Sequence, residues 1–153
     1  MLTLDDLIIT QGDFRLSADF DLPAGSATAI LGPSGAGKST LLSVIGGFFA
    51  PASGRVMWEG VDITAMPPAK RPVSHLFQDN NLFPHMSAAQ NVGLGINPTL
   101  RLSSEDKSAV QEALEATGLG DMGDRLPAQL SGGQQSRLAL ARVSVQRQPL
   151  VLL

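Results

Sequence analysis

Apolar and polar positions divide this chain into alternating short strands and helices. Residues 2–10 and 14–22 carry strand-like runs separated by Gln11-Gly12-Asp13, which predicts two strands of a small antiparallel region. The continuous apolar run Ala27–Leu31 predicts a buried strand, and Thr40–Ile45 opens a helix whose apolar side packs back on a sheet. Gly54–Trp58 and Val73–Phe77 predict further strands, the second reached through the stiff connector Pro67–Pro72. Ser103-Ser104-Glu105-Asp106 resembles a capping box and opens an amphipathic helix. Val110, Ala113 and Leu114 form its inward stripe, and Gly118 ends it. A last helical pattern runs from Leu138 to about Gln146, and Leu150–Leu153 predicts a final strand.

Composition narrows the class. The chain has 153 residues, enough for one domain with a core; 43% are hydrophobic and 16% charged, an ordinary globular balance. A net charge of −3 lacks the basic face that neutralising phosphate backbones requires, so no nucleic-acid partner is expected. Zero cysteines exclude a disulfide framework and thiolate metal sites. No apolar run reaches the length of a membrane span, so any membrane association is expected to come through a partner.

Gly32-Pro33-Ser34-Gly35-Ala36-Gly37-Lys38-Ser39 fits G-x-x-x-x-G-K-[ST] without a mismatch and sits between the predicted strand and helix. Glycines let backbone N–H groups turn inward around phosphate oxygens. The helix start adds partial positive charge, and Lys38 adds a full one. Ser39 is placed to ligate Mg²⁺, whose other ligands come largely from phosphates and water, and Thr40 follows on the same helical turn. A purine trinucleotide is the default ligand. The loop alone does not separate ATP from GTP, and a Gly-rich surface turn with an exposed lysine is the bland alternative.

Leu130-Ser131-Gly132-Gly133-Gln134 precedes the last helical pattern. Ser131 can cap that helix, and the two glycines leave its first N–H groups open, making a second anion-binding helix start. By itself this reads as an ordinary Ser-capped helix.

With both motifs in hand, the chain resembles the ATP-binding subunits of ATP-binding-cassette transporters. Gly32–Ser39 matches their Walker A motif, Leu130–Gln134 their signature, and Gln78 in Leu76-Phe77-Gln78-Asp79 their Q-loop. The resemblance implies an α/β P-loop fold with a RecA-like core, a small antiparallel β region and a helical subdomain, incomplete here. On that plan residues 1–79 form the antiparallel region and the Walker A and Q-loop core. Residues 80–130 form the helical subdomain, and residues 131–153 the signature helix and the start of the Walker B strand. It also implies a homodimer sandwiching two ATP molecules. Each is held by Gly32 to Thr40 of one copy and by Ser131, Gly132, Gly133 and Gln134 of the other. Lys38 and Gln78 take the catalytic positions, and Ser39 and Gln78 those nearest Mg²⁺. The implied partners are two membrane permease subunits or domains and, indirectly, a periplasmic solute-binding protein. The implied location is peripheral, on the cytoplasmic face of the inner membrane.

In that family an aspartate and a glutamate follow the Walker B strand, so hydrolysis is expected of the parent protein and not of a fragment ending at Leu153. The strand that normally lies between Ala27–Leu31 and Leu150–Leu153 is likewise missing, and the isolated chain is expected to be unstable. The aromatic that stacks on adenine is expected near Gln11, where none stands; Phe14 is a substitute candidate or a core residue. Trp58 reads as packing, Lys70 and Arg71 as solvated loop charges, and His75 and His85 as residues without metal-ligand spacing. Met66–Val73, Asn80–Phe83 and Ala89–Gly95 look closest to bacterial thiamine-importer ATPases. Leu82 and Phe83 are candidates for apolar surface facing a permease. Alternatives are an importer for iron, a polyamine or an oxyanion, a soluble cassette ATPase of translation or DNA repair, and a non-hydrolysing nucleotide-binding module.

Overall fold

Leu2 and Leu4 fall on one strand phase, Leu7 and Ile9 on the other, yet all four side chains are buried. A bulge reconciles them. Pairing slips between Leu4 and Leu7, with Asp6 at φ 44°, so both halves of the strand face the same core. Gly54 lies opposite at φ 82°, where a Cβ would collide with the Asp6 carbonyl. The computed structural model describes residues 1–77 and 79–153, in two compact units, Met1–Val73 and Ser74–Leu153.

In the first unit β1 (Leu2–Gln11), β2 (Phe14–Leu22), β3 (Ser53–Trp58) and β4 (Val61–Asp62) form one sheet in the order β2-β1-β3-β4, antiparallel throughout. The antiparallel region foreseen in residues 2–22 is present and extends to β3 and β4. Helix α1 (Lys38–Gly46) buries Leu41, Val44 and Ile45, and Gly47 closes it in the left-handed conformation, its N–H bonding back to Val44 O. Each fully buried Leu, Ile or Val contributes roughly 1.5–3 kcal/mol over an exposed one.

Two expectations are corrected here. Ala27–Leu31 forms no strand, and its side chains are exposed, Leu31 by 89%. An apolar run becomes a strand only where a neighbour takes its backbone hydrogen bonds, and none of the described strands pairs with it. Arg71 is not a solvated charge but 4% exposed. Its Nε donates to Met66 O, its Nη1 to Val44 O and Ile45 O, and its Nη2 to Thr64 O, at 2.6–2.8 Å. One guanidinium thus ends α1 and ties the Pro-rich connector to it. Burial lowers the Arg71 pKa from its ordinary value, opposed by the Asp62 carboxylate.

The second unit is mainly helical: α2 (Ala88–Gly93), α3 (Ser104–Ala116) and α4 (Gly132–Ser144). Each begins with a reciprocal capping box, Ser87 with Gln90, Ser103 with Asp106, and Ser131 with Gln134. Val92, Val110, Leu114, Leu119, Leu130 and Leu138 meet in one core, so the helix after Ser131 packs with α2 and α3. Gly118 at φ 71° ends α3, where Leu119 N–H reaches Leu114 O. β5 (Val73–His75) and β6 (Leu150–Leu152) make a two-stranded sheet, continued by Leu76 N–H to Leu152 O. β5 stops at His75, short of Phe77, and the Leu150 strand forms as foreseen.

Candidate nucleotide-binding site

Residues 32–36 are exposed, a turn closed by Ala36 N–H to Pro33 O. Gly35 and Gly37 hold φ of 81° and 88°, which residues with a Cβ rarely adopt, so the loop curls back on itself into α1. Gly37 is the N-cap of α1; it supplies no side-chain acceptor, and no acidic residue stands in the first turn. The first N–H groups of α1 therefore stay available to an external anion. Lys38 Nζ donates to Gly32 O at 2.8 Å and Pro33 O at 2.7 Å, so the cation is folded over the loop. Ser39 is exposed and Thr40 half-buried at the same helix start.

Phe14 and Leu16 of β2 back this loop. A Cβ on Gly37 would run into the Phe14 ring and the Leu16 methyl. Phe14 thus acts as packing for the loop's last glycine, a contact the sequence pattern did not reveal. Trp58 is half-buried on β3, in keeping with packing.

The second candidate site is the start of α4. Ser131 Oγ accepts from Gln134 N–H at 3.3 Å, while Gln134 Oε1 accepts from Ser131 N–H at 2.8 Å. Gly132 and Gly133 are exposed, and a Cβ on either would meet nothing within 4 Å among the described residues. Packing among those residues therefore does not demand glycine at either position. Gln135 Nε2 donates to Pro127 O and Leu130 O, anchoring the loop that leads in.

Gln78, assigned to catalysis and to the metal, lies outside the described residues. Its downstream neighbours are described: Asn80 and Asn81 both take left-handed conformations, φ 55° and 45°. Among the described residues no cluster of three or more His, Cys, Asp or Glu could hold a metal ion, and no helix is long and apolar enough to cross a membrane. His75 stacks on Phe77 with centroids 4.4 Å apart, and burial lowers its pKa below the ordinary 6.5. The pattern reading also passed over Asn91 and Arg142, two polar residues within helical apolar stripes. Each stands beside or four residues beyond a core position, Val92 and Leu138, and that is the signal that marks them.

Residues 16–153 match the family model of the ABC transporter. A thiamine import ATP-binding protein, ThiQ, of Cereibacter sphaeroides is 54% identical over 153 residues, covering all of this chain and 66% of that protein. The protein of the same name from Chelativorans sp. is 58% identical over 142 residues, 93% of this chain and 58% of that protein. This chain thus spans just under two thirds of the length of the first and less of the second. Among solved structures, the dimeric post-hydrolysis state of the ATP-binding cassette MJ0796 bound to ADP and Pi matches with a TM-score of 0.85 at 29% identity. That match covers 99% of this chain and 72% of the other.

Proposed function

The chain belongs to the ABC transporter family, and from that premise we propose that the full protein containing it binds ATP with Mg²⁺ and hydrolyses it to drive thiamine import. Gly32–Thr40 carries this reading. Its uncapped helix start, left-handed Gly35 and Gly37, and inward-folded Lys38 make a cradle for a polyphosphate. The residues fit a phosphate-bound metal: Ser39 offers an exposed hydroxyl at the helix start, and no carboxylate stands in the first turn to compete with phosphate oxygens. Ser39 would hold such a metal, whose positive charge would offset the negative charge developing on the transferred phosphoryl group. Lys38 is the residue of this chain that can move from the loop carbonyls to that group.

The start of α4 is the complementary half. Its exposed glycines and open N–H groups suit a phosphate presented by a second copy, giving a homodimer with two shared nucleotides. Gln78 is assigned to orienting water near the metal. Thiamine as cargo rests on the similarity to thiamine import proteins. Cargo would pass through two permease subunits fed by a periplasmic binding protein, with this chain peripheral on the inner membrane.

The test is reconstitution of the full-length protein with its permease in vesicles, measuring ATP hydrolysis and uptake of labelled thiamine. Thiamine-dependent hydrolysis with uptake is the expected result. Hydrolysis stimulated by iron, a polyamine or an oxyanion instead would reassign the cargo, and an absence of hydrolysis would remove the ATPase reading.

A further inference from the structure

The backbone that follows Gln78 is held from two helices. Arg142 of α4 donates from Nη1 to Asn81 O at 2.8 Å and from Nη2 to Asn80 O at 2.9 Å. Asn80 Nδ2 also donates to Ser136 Oγ, which precedes Arg142 on α4, at 3.3 Å. A few residues on, the fully buried Asn91 of α2 fixes the next turn. Its Oδ1 accepts from Phe83 N–H at 2.8 Å, and its Nδ2 donates to Phe83 O, Met86 O and Ser87 O at 3.0–3.1 Å. Arg142 is half-buried, burial lowers its pKa from the ordinary value, and the Phe83 ring centroid lies 6.0 Å from its Cζ. The two arms differ in kind. Asn91 is a local lock within one turn, whereas Arg142 joins the segment to the helix that Ser131 begins. Gly95 seats α4 at this level, since a Cβ there would collide with the Arg142 carbonyl.

We propose that Arg142 is a positioning residue. Its forked pair of bonds to Asn80 O and Asn81 O makes the segment after Gln78 follow α4, so that engagement of the Ser131 end is felt at Asn80 and Asn81. The fork suits this task because two parallel bonds fix the orientation of the peptide groups as well as their distance. Left-handed Asn80 and Asn81 turn both carbonyls to the same side, where one guanidinium reaches them. This inference rests on the ATPase reading for its consequence and on geometry alone for its existence, and the two are separable.

The test uses the full-length protein with Arg142→Lys, which keeps the charge but not the fork, and Arg142→Met, which keeps only the stem. Amide hydrogen exchange is expected to rise about ten-fold or more across residues 80–83 in Arg142→Met and less in Arg142→Lys, with α2 and α3 unchanged. ATP affinity of the isolated protein is expected to stay within about two-fold, while kcat in the reconstituted transporter falls about ten-fold at nearly constant KM. Should Arg142→Met fail to fold, Arg142→Lys carries both measurements. Unchanged exchange at residues 80–83 would overturn the clamp, and loosened exchange with wild-type kcat would overturn its role. A fall in ATP affinity matching the fall in kcat would reduce Arg142 to general scaffolding. Wild-type protein without thiamine-stimulated hydrolysis would count against the proposed function, while the exchange result would still decide the clamp.

Discussion

The Phe14 ring occupies the space that a Cβ on Gly37 would need. The turn that leads into α1 is therefore shaped from behind by an aromatic of β2, and Gly37 is required twice, for its φ of 88° and for that contact. Gly37→Ala is expected to destabilise the protein by about 1–3 kcal/mol and to weaken ATP binding. In the Gly37→Ala/Phe14→Leu double variant the clash with the Phe14 ring is relieved, while the Leu16 contact and the backbone part remain. Chemical denaturation of the four members of that cycle measures the coupling.

Lys38 donates to two carbonyls of the loop that leads into α1. Lys38→Ala removes a charge-assisted contact of about 1.5–3 kcal/mol, so ATP affinity should fall about ten-fold to a hundred-fold with little change in thermal stability. Titration with a fluorescent ATP analogue reads this directly. Undiminished affinity would place the nucleotide elsewhere.

Because a Cβ at Gly132 meets nothing within 4 Å among the described residues, Gly132→Asp should leave folding and monomer ATP binding within about 0.5 kcal/mol of wild type. In the proposed homodimer it would set a carboxylate against the phosphate presented by a second copy, and ATP-driven dimerisation should be lost. Sedimentation with and without ATP checks it; dimers that persist would refute the trans role of the Ser131 helix.

Arg71 satisfies four carbonyls from a nearly closed environment. Arg71→Met keeps much of the stem but leaves buried oxygens without a donor, at a cost of about 3 kcal/mol or more. The unfolding midpoint should drop clearly, whereas Lys70→Met should barely move it.

His75 has its pKa lowered by burial, so the unfolded chain takes up a proton more readily than the folded one. Stability is constant above the unfolded value of about 6.5 and falls as pH drops below it toward the folded value. His75→Gln should flatten that acid-side slope. Thermal melts between pH 5 and 8 would show it, and an identical slope would assign the loss to other groups.

The chain's own order of residues determined the two motifs, the strands over residues 2–22, the capped helices and the Val110, Ala113, Leu114 stripe. These are encoded locally: glycines set left-handed turns, a serine caps its own helix, and apolar spacing marks one helical face. Tertiary structure alone decided the rest. Ala27–Leu31 is as apolar as a buried strand and is none, because strand hydrogen bonds belong to a neighbour. The phase break in β1 is resolved by a bulge that Gly54 permits from another strand. Arg71, Asn91 and Arg142 are polar by composition and buried or half-buried by partnership: Asn91 closes on carbonyls of its own neighbourhood, whereas Arg71 reaches Val44 O and Ile45 O and Arg142 reaches Asn80 O and Asn81 O, which chain order does not bring near. A polar side chain's fate depends on which carbonyls surround it, and only folding brings those carbonyls together.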